Sequence, residues 1–162
     1  MDINEQTLTR LYSAFAKLDA DTMAKCYAED ATFDDPVFSL HGSDEVAGMW
    51  HMLCDAARNK GRQDWRLDFS EVRSDGTNGR AHWEARYRFS ASKRLVHNVI
   101  EATFTFTPDG LIASHTDAFD FWHWSRQALG LGGFMLGWVP FFRKQVRVQA
   151  REALNKYIQS RQ

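Results

Sequence analysis

Apolar residues recur at three- and four-residue spacing between Glu5 and Leu18, at Leu8, Leu11, Tyr12, Phe15 and Leu18, which is the stripe of an amphipathic helix. Asp19 to Tyr27 reads as a second, short helix. From Asp30 to Leu40 the pattern turns alternating and turn-rich, and Pro36 biases Asp35 toward an extended backbone, so a bent pair of strands is expected. Ser43 then caps a helix to about Ala57, with Asp44 and Glu45 in its first turn and Val46, Met49, Trp50 and Leu53 along one face. Beyond a polar linker at 58–62 the period drops to two. Trp65, Leu67 and Phe69 share one strand face, and after the turn at 74–79 Trp83, Ala85, Tyr87 and Phe89 share another. A third strand spans Leu95 to Phe106, and a fourth spans Leu111 to Phe121 after the turn Thr107–Gly110. Helices followed by an antiparallel meander give the α+β class.

The last part of the chain departs from this alternation. Residues 127–142, QALGLGGFMLGWVPFF, carry no charge, but four glycines and Pro140 interrupt a run already too short to span a bilayer. A helix resumes at Arg143, with Val146, Ala150, Leu154 and Ile158 at i, i+4 spacing. From Arg143 onward six basic residues face one acid, Glu152, so a tail of +5 follows a body of −6 within a chain of net charge −1. Such a separation points to a local acidic partner for the tail and not to broad nucleic-acid binding. Three readings stand for the segment: a lid over a pocket, an arm that forms a homodimer, or a peripheral membrane contact through 134–151.

At 162 residues the chain can bury a core without crosslinks, as one domain. Cys26 and Cys54 sit in helix-like segments with no Cys-x-x-Cys spacing, so neither a disulfide framework nor a zinc site is readable, and a reducing compartment fits. The opening MDINEQTLTRLY has no basic start followed by an apolar stretch, so export is not expected and the cytoplasm is, with membrane contact through the tail as the variant.

One run carries a resemblance: Tyr27-Ala28-Glu29-Asp30-Ala31-Thr32-Phe33-Asp34-Asp35-Pro36, followed by His41-Gly42, between helices and ahead of four long strands. This order resembles the superfamily shared by nuclear transport factor 2, ketosteroid isomerase and the SnoaL-like polyketide cyclases. The resemblance implies a cone in which a curved antiparallel sheet wraps the N-terminal helices around an apolar pocket. The cone would occupy 1–124, with 125–162 as a helical extension of the same domain. It implies no metal and no cofactor. The position before the motif's proline, the catalytic base of ketosteroid isomerase, is Asp35. That enzyme's oxyanion donors, a tyrosine on the first helix and an aspartic acid on the third strand, fall on Leu11 and Ala102, with Tyr12 and Glu101 one residue away.

Carried over by position, Asp35 enters a pocket walled by Trp50, Trp83, Tyr87, Phe104 and Phe119, where poor solvation would raise its pKa toward that of a useful base. Alternatively Asp35 shapes the turn before Pro36 and accepts from nearby amides. His115 and Asp117 are two apart on the last strand and share a face. Histidine suits a proton donor near neutral pH, with Asp117 fixing its tautomer. Alternatively the pair is a buried polar couple satisfied by Tyr27 or the Trp50 N–H. The expected activity is acid–base isomerase, cyclase or hydrolase chemistry on an apolar carbonyl compound. The rival is a non-catalytic module that binds a hydrophobic ligand or partner.

Overall fold

The computed structural model describes residues 1–89, 91–130 and 140–162. The stripe of the first helix, α1 (Ile3–Ala16), buries Leu8, Leu11, Tyr12 and Phe15, and the Asp2 carboxylate caps it by accepting from the Glu5 amide. Helix α2 (Ala20–Ala24), capped by Asp19, ends earlier than the sequence suggests. Tyr27 therefore opens strand β1 (Tyr27–Asp34), which turns at Pro36 into β2 (Ser39–His41).

Helix α3 (Ser43–Gly61) buries Val46, Met49, Trp50 and Cys54, but Leu53 is 39% exposed and lies off the expected face. Its cap is Gly42 and not Ser43: Gly42 adopts φ 91°, a left-handed geometry that glycine accepts at little cost. The helix runs through the expected linker to Gly61, and a 3-10 turn at Arg62–Asp64 leads into β3 (Arg66–Ser74).

Strands β4 (Asn78–Arg88), β5 (Leu95–Phe106) and β6 (Ile112–Ala118) follow, with Ala81, Trp83, Ala85, Ile100, Ala102 and Phe104 turned to the core. The sheet order is β2-β1-β6-β5-β4-β3. All pairs are antiparallel except β1 with β6, which makes the sheet mixed. Strand β6 stops at Ala118 and not at Phe121, because the Asp120 carboxylate accepts from the His123 amide and starts helix α4 (Phe121–Leu129).

The basic helix, α5 (Pro140–Ser160), lies on α3. Leu154 is fully buried, and Arg151 pairs with Glu45 while Tyr157 donates to Asp55. Arg143 and Arg147 donate to the Pro36 carbonyl, at 3.2 and 3.5 Å. No described helix is long and apolar enough to cross a membrane. Most of the apolar part of the tail, from Leu131 to Val139, lies outside the described residues. Contact between the helices is close at Gly48, where a Cβ would stand 2.6 Å from Ile158 Cγ1. Gly48→Phe should therefore lift α5 and raise tryptic cleavage at Arg147 and Arg151 about tenfold, with the rest of the chain protected. Cleavage at the wild-type rate would mean that this contact does not hold the helix.

Candidate functional site

Strands β1, β5 and β6 and helix α3 converge on His115. Parallel pairing sets Phe33 of β1 beside His115 of β6, and antiparallel pairing sets Phe104 of β5 on its other flank. The rings of Phe104, Phe33 and Trp50 lie 4.3, 4.9 and 6.1 Å from the imidazole, which is 1% exposed.

Both ring nitrogens are engaged: Nδ1 meets the Tyr27 hydroxyl at 2.8 Å and Nε2 meets Asp117 Oδ1 at 2.8 Å. Trp50 Nε1 donates to the Tyr27 oxygen at 3.0 Å, and Trp83 Nε1 donates to Asp117 Oδ1 at 3.3 Å. Counting donors assigns the tautomer. The Tyr27 O–H donates to Nδ1, leaving the imidazole proton on Nε2 to reach the Asp117 carboxylate, and no donor is stranded. Asp117 Oδ2 accepts nothing among the described residues.

Asp35 lies at the β1–β2 turn, half-buried. Its Oδ1 accepts from the amides of Val37 at 2.7 Å and Phe38 at 2.6 Å, and its own amide donates to the Phe38 carbonyl. Its Oδ2 has no partner among the described residues. Burial pushes the carboxyl up to about 6; the two amides oppose this, the charge of Asp117 adds to it, and His115 slightly offsets it. Among the described residues no hydrogen bond joins Asp35 to His115 or Asp117, so the link is through space.

Tyr87 shares the Asp35 environment. Burial, with a contribution from the Asp35 charge, pushes its phenol up to about 12, and its oxygen accepts from Trp124 Nε1 at 2.8 Å. Phe119 is half-buried against the core edge. Tyr27, Trp50, Trp83, Phe104, His115 and Asp117 thus form one network, while Asp35, Tyr87 and Phe119 stand apart from it.

Tyr12, one residue from the donor position that the resemblance assigns to Leu11, lies within the apolar stripe of α1. It is 1% exposed, its ring packs on Phe69 and Trp83, and its hydroxyl has no hydrogen-bond partner among the described residues. Burial holds its phenol well above the usual range, with the charge of Asp117 adding to the effect. A buried unpaired hydroxyl costs about 1–3 kcal/mol, which marks Tyr12 as a donor awaiting an acceptor. The signal in the sequence was a polar-tipped residue inside an otherwise apolar face.

Cys26 and Cys54 are buried, and burial pushes their thiols up to about 11 and 12, so they pack and do not react. Among the described residues no set of three His, Cys, Asp or Glu side chains is placed to hold a metal.

A cone of this topology, with a carboxyl at its turn and an aromatic-walled polar network within, defines a pocket protein. Residues 8–115 match the SnoaL-like domain, and the chain belongs to that family. No functionally curated protein matches it in sequence. Among solved structures it is similar to an NTF2-like protein of unknown function from Burkholderia pseudomallei, at TM-score 0.64 and 20% identity over 80% of this chain and 99% of that one. A putative polyketide cyclase from Xanthomonas campestris pv. campestris aligns at TM-score 0.62 and 19% identity, over 78% and 96%. An LEH-like epoxide hydrolase from M. tuberculosis aligns at TM-score 0.60 and 17% identity, over 82% and 94%. At these identities the likeness is one of fold.

Proposed function

We propose that the protein performs acid–base chemistry on an apolar, carbonyl-containing small molecule, with Asp35 as the proton acceptor. One observation carries this reading: among the described residues the Asp35 carboxyl is pinned through Oδ1 alone, leaving Oδ2 unpaired there, where burial raises its proton affinity. A base of that strength works near neutral pH and then holds the proton for return to a second carbon or oxygen. Because both nitrogens of His115 are engaged, its role is to hold Tyr27 and Asp117 in register. The unpaired Tyr12 hydroxyl supplies a donor for the charge that develops on the carbonyl oxygen. Similarity to a putative polyketide cyclase and an epoxide hydrolase supports small-molecule chemistry without naming a substrate.

The test is deuterium wash-in to a panel of apolar enolisable ketones, followed by NMR. Exchange by the wild type should rise with pH through about 6, and Asp35→Asn should slow it by about 10²–10⁴-fold. Wash-in that is indifferent to Asp35→Asn would remove Asp35 from the chemistry.

A second reading is non-catalytic binding of a hydrophobic ligand. It draws on the closed aromatic box around His115, which satisfies every polar atom of that ring without a substrate. Saturable ligand binding without any exchange would favour it.

A further inference from the structure

The outer face of the sheet carries a different cluster. Up to Ser70, β3 alternates regularly, with Leu67 and Phe69 on the core side. Continued without interruption, that alternation would turn Arg73 inward. Instead Glu71 adopts φ 55° and the register with β4 slips between Ser70 and Arg73, as one extra residue in a bulge does. Val72 thereby packs on the core, and Arg73 emerges on the outer face directly across from Arg80. The row continues over two more strands, Arg80 facing Thr103 and Thr103 facing Thr116. With Asn78 and Ser114 in the adjoining row, these side chains line an open cleft of about 570 Å³, a volume suited to a small ligand.

Charge in the cleft is unbalanced. Among the described residues the Arg73 side chain donates only to the Val72 carbonyl, and the Arg80 side chain makes no hydrogen bond or ion pair. The acid at the rim, Asp75, is engaged in its own turn, where it accepts from the Thr77 and Asn78 amides, and those bonds hold its carboxyl below the usual range. Like charges directly opposite on a sheet face are destabilising, and a left-handed glutamate adds to the cost. The fold thus gives up stability to place two guanidinium groups side by side above a floor of hydroxyls.

We propose that this cleft binds a small organic anion. Its carboxylate or phosphoryl oxygens bridge Arg73 and Arg80 and accept from Thr103 and Thr116, a use for which forked guanidinium donors are well shaped. The site lies on the opposite face of β5 from the polar network, since Phe104 points to His115 while Thr103 and Thr105 point outward.

Isothermal titration of the full chain at low salt, with inorganic pyrophosphate and citrate as probes, tests the site. At least one probe should bind, and binding should weaken on adding salt. Binding of pyrophosphate alone assigns a phosphate ester, and binding of citrate alone assigns a carboxylic acid. Arg80→Glu should lower affinity at least about tenfold without lowering the thermal midpoint, because it replaces a repulsive cross-strand pair with an attractive one. Arg73→Gln should weaken binding in the same direction, whereas Arg66→Gln, on the same face but paired with Asp68, should leave it intact. Failure of both probes at millimolar concentration, or binding that survives Arg80→Glu and Arg73→Gln, would overturn the proposal.

Discussion

Asp35→Asn is expected to make the protein more stable at about pH 8 and to have little effect at about pH 4. Burial raises the folded carboxyl to about 6, above the ordinary value near 3.9 that it regains on unfolding. Between these two values the folded state keeps a proton that the unfolded state has released, so stability falls as pH rises through the window. Above about 6 the penalty is complete. A difference of about two units sets an upper bound near 3 kcal/mol, and the half-buried position brings the expected gain to about 1–3 kcal/mol. Asparagine keeps an Oδ1 to accept from the Val37 and Phe38 amides, so the turn is retained. The midpoint of thermal unfolding should therefore rise by about 3–10 °C at the higher pH. Equal destabilisation at both pH values would instead identify Asp35 as a turn-forming acceptor whose charge is needed by the fold. The two outcomes separate a carboxylate kept for chemistry from one kept for shape, since only the first is held at a cost in stability.

Much of this architecture is legible in the sequence wherever burial is one-sided. Leu8, Leu11, Tyr12 and Phe15 mark α1, and the alternation of Ala102, Phe104 and Phe106 marks β5, because a misplaced phase would expose those residues. The shared face of His115 and Asp117 follows from the same period of two. What escapes is whatever depends on a distant partner or on a local cap that cuts a pattern short. Tyr27 reads as the end of a helix until β6, far along the chain, pairs beside it, and only then does its hydroxyl meet His115. Phe121 continues an alternation that Asp120 has already ended by capping a helix. The bulge at Glu71 is silent as well: an unpaired strand reads through an extra residue, so Arg73 could not be assigned to the face it shares with Arg80. The tail is a further case. Its periodicity gives the helix, but only the docked structure shows that Leu154 and Arg151 are engaged by α3.

Asp117 should respond to substitution in two ways that separate its structural from its chemical part. In Asp117→Leu the His115 Nε2–H and the Trp83 Nε1–H lose their acceptor in a site closed to water, and two stranded donors cost about 2–6 kcal/mol. The thermal midpoint should fall by about 5–15 °C. Adding His115→Phe removes one of those donors, so the double variant should be less damaged than the sum of the singles, with a coupling of about 1–3 kcal/mol. Strict additivity would mean that the two residues do not share the bond seen between them. Asp117→Asn behaves differently, because its amide oxygen still accepts from both donors and only its new NH2 group lacks an acceptor, so the fold should lose about 1–3 kcal/mol. Its charge, however, is gone. Since the Asp117 carboxylate helps hold Asp35 up, its neutralisation should lower the Asp35 pKa and move the acid limb of deuterium exchange to lower pH. A pH profile unchanged in a folded Asp117→Asn protein would confine Asp117 to packing. A downward shift would place the buried network in electrostatic contact with the proposed base at the turn, the coupling on which the proposed acid–base chemistry draws.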